Sequence, residues 1–449
     1  MIAQLQAQVR DLQAQLHRHA GNSSTPPSAN PLGAPKPVVK KKSRRRPGAQ
    51  PGHPPRLKHL LPPERVQATF QFVPHQCRQC QAPLPAQAGP DDPPPTRHQV
   101  IDLPPVIATA TEYQGHARTC PGCGALTHAP IPRALLAHSV GPRLTATLSY
   151  LSGCHGVSKR GVEEIAADVF DAPLALGTVA NLEQEVSAAL AAPHREAVAA
   201  VRAAAVKHAD ETSWQRRGRL CWLWAAATAG VAVFGIHAKR SAVGLAALLG
   251  VTIQGILCSD RWGVYNQVPA ERRQVCWAHL KRDFQKVADG HGPSAAVGRR
   301  GSRLVKEVFA AWHESQEGRL TRAQLQARLA PLESRLNRVL LEGALLGADP
   351  KVAAFCEKVL ALEAALWTFA RVEGVEPTNN FLERLLRRAV LWRKRSFGCW
   401  SEAGCRFVER ILTVVQTRRL QGHSVLGYLH DALRAHRAGQ PCPNLLPAG

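Results

Sequence analysis

The sequence predicts a multidomain α/β protein, and three observations predict it. Short apolar, strand-like runs fill residues 199–296, and a long stretch of helical periodicity follows them. Upstream lie two close Cys-x-x-Cys pairs. Ahead of those, the chain from Asn22 to Pro63 is rich in Pro, Ser and Gly and contains no acid. A chain of 449 residues has room for roughly two to four cores. The order strand, hairpin, strand, strand, long helical stretch, helix is that of a mixed α/β domain interrupted by a helical insertion.

The elements follow in chain order. Ile2, Leu5, Val9, Leu12 and Leu16 alternate spacings of three and four, an a/d seam that predicts a short coiled coil over 1–20. Residues 21–63 form a basic arm that cannot bury a core. Its Lys40, Lys41, Lys42, Arg44, Arg45 and Arg46 suit sequence-independent contact with phosphates. Residues 64–130 hold Cys77-x-x-Cys80 and Cys120-x-x-Cys123, the spacing of a four-cysteine zinc site in a ribbon-like module. Residues 131–198 read as helices. Ser158 starts one that faces inward through Val162, Ile165, Ala166 and Val169, Pro173 breaks it, and a second begins at Thr178, a helix-turn-helix-like pattern.

From 199 to 296 the strands begin. VRAAAVKHAD and VTIQGILCSD read as apolar strands that each end in an acid, Asp210 and Asp260. LCWLWAAA and VAVFGIH read as a hairpin, and VCWAHLKRDF as a strand turning into a helix. Residues 297–372 are helical, with Leu325, Leu329, Leu332, Leu336 and Val339 on one face. Residues 373–422 carry two last helices, Phe381 to Arg393 and Arg406 to Arg419, before a tail at 423–449.

The net charge of +24, from 57 Lys+Arg against 33 Asp+Glu, implies a polyanion partner. The longest uncharged apolar run, Leu220 to Ile236, is broken by a turn and reads as a hairpin, not a membrane span. The polar N-terminus lacks the pattern of a secretion signal. The expectation is a cytoplasmic, nucleoid-associated protein whose 12 cysteines are thiols or metal ligands. The eight cysteines outside the two pairs read as core residues.

Acids at strand ends are where carboxylates converge on hard cations, and two magnesium ions held that way activate and stabilise the oxygens of phosphoryl transfer. The third acid in the set is Glu383, in TNNFLERLLRRAVLWRKR. It sits beside the apolar stripe of Leu382, Leu385, Leu386 and Ala389. Each acid also has an ordinary reading. Glu383 fits a capping box with Asn380 or an ion pair with Arg387. Asp210 fits a turn, and Asp260 a helix cap.

The short zipper, GNSSTPPSAN, RRRPGAQPGH, the two Cys-x-x-Cys pairs, HADETSW, SDRWGVYN, CWAHLKRDF and NNFLERLLRRAVLWRKRSFG run almost end to end, over roughly residues 5 to 422. In this set and order the chain resembles the transposases of the insertion-sequence-66 family. The resemblance implies a ribonuclease-H-like catalytic domain with a DDE triad at Asp210, Asp260 and Glu383. It also implies a helical insertion between the second and third acids, where 122 residues intervene here. By the same resemblance the protein binds double-stranded DNA at element ends and target, cleaves and joins strands with two magnesium ions, and carries one structural zinc. Self-association on DNA and element-encoded accessory proteins are further expectations. Arg384, Arg387, Arg388, Arg393 and Lys394 are candidates to hold the DNA backbone, with Lys281 and Arg282 as further ones. Cys276 and His279, a pair family chains also show, are accessory candidates without a role. The alternatives from residues alone are a non-catalytic zinc-containing DNA-binding regulator, or a nuclease of the same fold that cuts without joining.

Overall fold

The computed structural model describes residues 60–290, 292–345 and 349–446. The heptad seam of 1–20 and the arm cations Lys40 to Arg46 lie outside them. The chain divides into two compact units, Val38–Val106 and the remainder. In the smaller unit, the first Cys-x-x-Cys pair sits in a tight turn. Cys77 N–H donates to Ala82 O at 2.9 Å, and Gln81 N–H donates back to Cys77 O at 3.0 Å.

In the larger unit the second pair repeats that turn. Cys120 N–H donates to Ala125 O and Gly124 N–H to Cys120 O, each at 2.9 Å. The residue four places after the first cysteine takes a left-handed backbone in both turns, Gln81 at φ 60° and Gly124 at φ 73°. Strands β1 (Ala117–Thr119) and β2 (Leu126–His128) pair antiparallel on either side of the second turn.

Helices α1 (Arg133–Leu136), α2 (Pro142–His155), α3 (Lys159–Asp168), α4 (Leu176–Ala189) and α5 (Ala191–Ala203) follow. The Ser158 hydroxyl accepts the Gly161 N–H at 3.1 Å and caps α3, as its position predicts. Val162 and Ala166 are buried with Leu148, Val179 and Leu182. Val169, expected on the same face, is exposed because the helix stops at Asp168. Helix α4 packs against two cores. Val179 and Leu182 belong to one core and Val186 and Ala189 to another, and its exposed positions are Leu176, Gly177, Asn181 and Ala188.

A five-stranded mixed sheet organises the rest. Its order is β5-β4-β3-β6-β7, from β3 (Val206–Arg216), β4 (Arg219–Ala227), β5 (Ala232–His237), β6 (Ile256–Ser259) and β7 (Arg273–Val275). β3, β4 and β5 pair antiparallel, whereas β6 runs parallel to β3 and β7 parallel to β6. The hairpin predicted from LCWLWAAA and VAVFGIH is β4–β5. The segment VRAAAVKHAD differs from its prediction: Val201 and its neighbours finish α5, and the strand starts at Val206 and continues to Arg216. Asp210 therefore sits inside a strand and not at its end. A two-residue turn, Arg217 and Gly218 at φ 51° and 70°, lets β3 pair with β4 far beyond the acid.

Side chains alternate across the sheet with the period of two that strands impose. Ala209, Trp224, Ala226 and Val233 face α5 and α6 (Ala242–Leu249). Trp214, Leu223, Ala225 and Phe234 face the opposite helix layer. After β7 the chain forms α7 (Trp277–Ala288), α8 (Ala295–Gln316), α9 (Arg322–Leu345), α10 (Pro350–Leu360), α11 (Glu363–Leu366) and α12 (Thr368–Arg371). The predicted stripe Leu325, Leu329, Leu332, Leu336 and Val339 is buried there with Trp277, Leu280 and Phe284 of α7. Helices α13 (Asn380–Ser396) and α14 (Glu402–Leu420) return to the sheet. Residues 423–449, expected as a tail, instead supply α15 (Val425–Arg437), which buries Tyr428, Leu429 and Leu433 in the main core. Of the eight cysteines read as core, all but the half-buried Cys442 are buried.

Both sheet edges are closed by side chains. On β5, Ala232 N–H donates to Thr417 Oγ1 at 3.0 Å, Phe234 N–H to Thr413 Oγ1 at 3.1 Å and Ile236 N–H to Glu409 Oε1 at 2.7 Å. Four residues along a helix and two along a strand both advance about 6 to 7 Å, so α14 meets each free N–H in step. On β7, Thr368 Oγ1 donates to Arg273 O at 2.5 Å, and Phe369 N–H donates to Gln274 Oε1 at 2.7 Å.

Candidate active site

The parallel strands set the level of the acids. His208 pairs with Cys258 across β3 and β6, and Ser259 with Val275 across β6 and β7. Continuing the first register by two residues puts Asp210 opposite Asp260, and the second by one puts Asp260 opposite Cys276. This is the C-terminal edge of the parallel strands, where open α/β sheets hold ligands. Along β3, His208, Asp210 and Trp214 share the face that α13 covers, and Glu383 lies in the first turn of that helix.

The three acids sense one another. Burial, and then Glu211, Asp260 and Glu383 around it, hold the Asp210 carboxyl well above the usual carboxylate range. One Asp210 oxygen accepts the Glu211 N–H at 2.8 Å, and one Asp260 oxygen accepts the Trp262 N–H at 2.9 Å. Asp260 therefore closes a local turn and does not cap a helix. All three are half-buried, shielded from bulk water yet reachable.

Neither ordinary reading of Glu383 is realised. The cap residue of α13 is Asn379, not Asn380, and no side chain caps it. With Asn379 as the cap, the third helical position is Leu382, so Glu383 is not placed to close a capping box, and the Asn379 N–H donates to Cys276 Sγ at 3.1 Å. Glu383 makes no ion pair with Arg387 among the described residues. Its Oε1 lies 3.6 Å from His279 Nδ1 and has no hydrogen bond.

Asn379 ties the three acidic segments together, a role that no local pattern of residues marks. It is 1% exposed. Its Nδ2 donates to Ala209 O at 2.9 Å, which leaves Oδ1 to accept from His208 Nδ1 at 2.8 Å. Through Ala209 it holds the neighbour of Asp210. Through Cys276, whose N–H donates to Ser259 O at 2.9 Å, it holds the neighbour of Asp260. Its own carbonyl accepts the Glu383 N–H at 3.1 Å. At the far end of α13, Cys399 N–H donates to Gln215 O at 2.8 Å. A Cβ on Gly398 would lie 2.2 Å from that same oxygen, so only glycine lets the chain pass. Asn379→Ala strands the Ala209 carbonyl and the His208 ring, each buried. The expected loss is about 2 kcal/mol of stability and on the order of a hundredfold in catalysis through misplacement of Glu383. Urea unfolding and strand joining measured on one preparation check both, and full activity in the destabilised variant would refute the positioning role.

Other residues missed from sequence support the second acid. Arg273 is fully buried and donates to Asp260 O at 3.1 Å and Asn266 Oδ1 at 2.9 Å. Burial pushes its guanidinium down to about 10. On the opposite face of β3, Glu211 accepts Tyr265 Oη–H at 2.7 Å and Arg240 Nη2–H at 2.6 Å, and the Arg240 guanidinium lies 4.1 Å over the Trp262 ring.

Of the proposed DNA-holding cations, Arg384, Arg387 and Lys394 are exposed to solvent. Arg388 donates to Cys154 O at 2.7 Å, and Arg393 binds Ser213 and, at 3.2 Å, Thr212 Oγ1, fastening α13 to β3. The two Cys-x-x-Cys turns fall in different compact units. In each, backbone N–H groups of the turn aim at the first sulfur, Cys77 and Cys120, and lower its pKa.

A family model described as Transposase IS66 family matches residues 138–406. One relative, the uncharacterized protein y4qI of Sinorhizobium fredii (strain NBRC 101917 / NGR234), is 26% identical over 214 residues, a span covering 42% of this chain and 38% of that protein. The family match begins among the first helices, contains the whole sheet with Asp210 and Asp260, and runs past Glu383 into α14. Because it takes in well over half of the 449 residues, the chain belongs to the IS66 family of transposases.

Proposed function

We propose that this chain is a DDE transposase that binds the ends of its element, cleaves DNA there and joins the freed strand to target DNA. What supports the reading is that Asp210 and Asp260 stand level at the C-terminal edge of adjacent parallel strands, with Glu383 in the first turn of the helix that covers that face. Burial first, and then the charges of Glu211, Asp260 and Glu383, crowd the Asp210 carboxyl toward its protonated form, and a bound cation would relieve that crowding. The sheet order and the antiparallel β3–β4–β5 meander support a ribonuclease-H-like core, with α8 to α12 as its helical insertion.

All-oxygen donors fit magnesium. Bound there, two magnesium ions would activate the attacking oxygen and neutralise the leaving one. Water first attacks a phosphodiester at the element end and frees a 3′ hydroxyl, which then attacks target DNA in line. The protein's part is positioning: Asn379 and Arg273 fix the acids, while Arg384, Arg387 and Lys394, with the arm cations, hold phosphates. No described helix is long and apolar enough to cross a membrane. Self-association on DNA, accessory proteins and action at the nucleoid belong to this reading. Strand transfer of a pre-cleaved element end with magnesium tests it. Cleavage without joining would favour the nuclease alternative, and neither activity the regulator.

The paired turns are proposed to serve zinc. Thiolates that accept backbone N–H bonds in matching turns suit a tetrahedral structural metal. Purified protein should carry about one zinc per chain through these cysteines. Both Cys77→Ser and Cys120→Ser should lose it. Zinc content unchanged in either variant would count against the assignment.

A further inference from the structure

We propose that Cys276, His279 and Glu383 form a second kind of metal site, one for a borderline-soft divalent cation such as zinc, which shares Glu383 with the magnesium triad and competes for it. Cys276 is the cap residue of α7 and His279 lies one turn on, so the two point the same way. Glu383 reaches them from the first turn of α13. The sulfur, a ring nitrogen and a carboxylate oxygen all lie within 4.8 Å of one another, and this is the one such group among the described residues.

Two further observations point to a ligand. His279 Nδ1 and Glu383 Oε1 face each other across 3.6 Å, longer than a hydrogen bond, and both atoms are buried without any partner. A cation bonded at about 2.0 to 2.3 Å fills such a gap. Burial pushes the Cys276 thiol up to about 11, so the thiolate would form only as a metal binds, with backbone donors already in place around it. Asn379 N–H donates to it at 3.1 Å, and the N–H groups of His279 and Ala278 are directed at it. The same kind of backbone donor surrounds Cys77 and Cys120.

Thiolate and imidazole select zinc or cobalt over magnesium. On binding, the Cys276 thiol releases its proton to solvent and the sulfur becomes a ligand. Glu383 cannot serve both sites, so an occupied soft site withdraws the third acid from Asp210 and Asp260. Only this inhibitory consequence rests on the proposed catalysis.

The test uses the full-length chain in zinc-buffered solution, with cobalt(II) as the optical probe. Wild type should hold one more metal equivalent than Cys276→Ser or His279→Ala, and its thiolate-to-cobalt charge-transfer band should vanish in Cys276→Ser. His279→Ala should weaken cobalt binding by about a hundredfold or more, beyond the range typical of outer-shell changes. His279 is 28% exposed, so its truncation keeps the fold readable by circular dichroism if Cys276→Ser does not fold. Equal metal content in wild type and His279→Ala overturns the site and leaves His279 and Glu383 as an ion pair. Metal binding without strand joining in any form sustains the site while the catalytic reading falls. Joining with no extra equivalent does the reverse.

Discussion

Glu383→Gln is expected to lower strand cleavage and joining on the order of a thousandfold or more, while folding and end binding survive. The substitution keeps the shape of the side chain and removes one charged oxygen from a dication. Loss of a cap or an exposed ion pair would change stability by only about 1 kcal/mol. Here neither exists to be lost: no side chain caps α13, and among the described residues Glu383 makes no ion pair with Arg387. Joining and end binding measured side by side decide the matter. Wild-type-like joining would reduce Glu383 to a partner of His279.

Asp210→Asn should be as damaging to catalysis, and it should make the metal-free protein more stable. The sign follows from the crowding. A carboxyl held above its ordinary range binds more protons folded than unfolded, so in that window stability falls as pH rises. Asparagine keeps an acceptor for the Glu211 N–H and removes the charge that Glu211, Asp260 and Glu383 oppose. The variant's melting midpoint should exceed wild type by about 2 °C near neutral pH, and the gap should close as pH drops below about 3.9, where the wild-type carboxyl becomes protonated in both states. Magnesium should raise the wild-type midpoint and leave the variant's unmoved. A variant no more stable than wild type at neutral pH, in chelator, would contradict the crowding.

Much of this was legible from residues alone, and the rest has physical reasons for being hidden. Asp260 closes an apolar run, and the last part of that run, Ile256–Ser259, is a strand. The buried stripe of α9 shows in leucine spacing because periodicity is local. Asp210 was misplaced at a strand end because the polar residues after it look like a loop. The pairing of β3 with β4 overrides that local signal, as tertiary context does. Asn379 was passed over for Asn380, since a capping box is a local pattern. What defines Asn379 is three partners more than a hundred residues away in sequence. The buried Arg273 reads as an ordinary cation until its carbonyl partners are known.

The closed edges of the sheet limit how copies of this chain can meet. A strand with free N–H groups invites another strand, which is how sheets grow between molecules. Here Thr413, Thr417 and Glu409 occupy the β5 edge and Thr368 with Phe369 the β7 edge. A strand added at either edge would have to displace these contacts, so under the proposed function chains gathered on DNA would meet through helices, loops or the DNA itself rather than by extending the sheet.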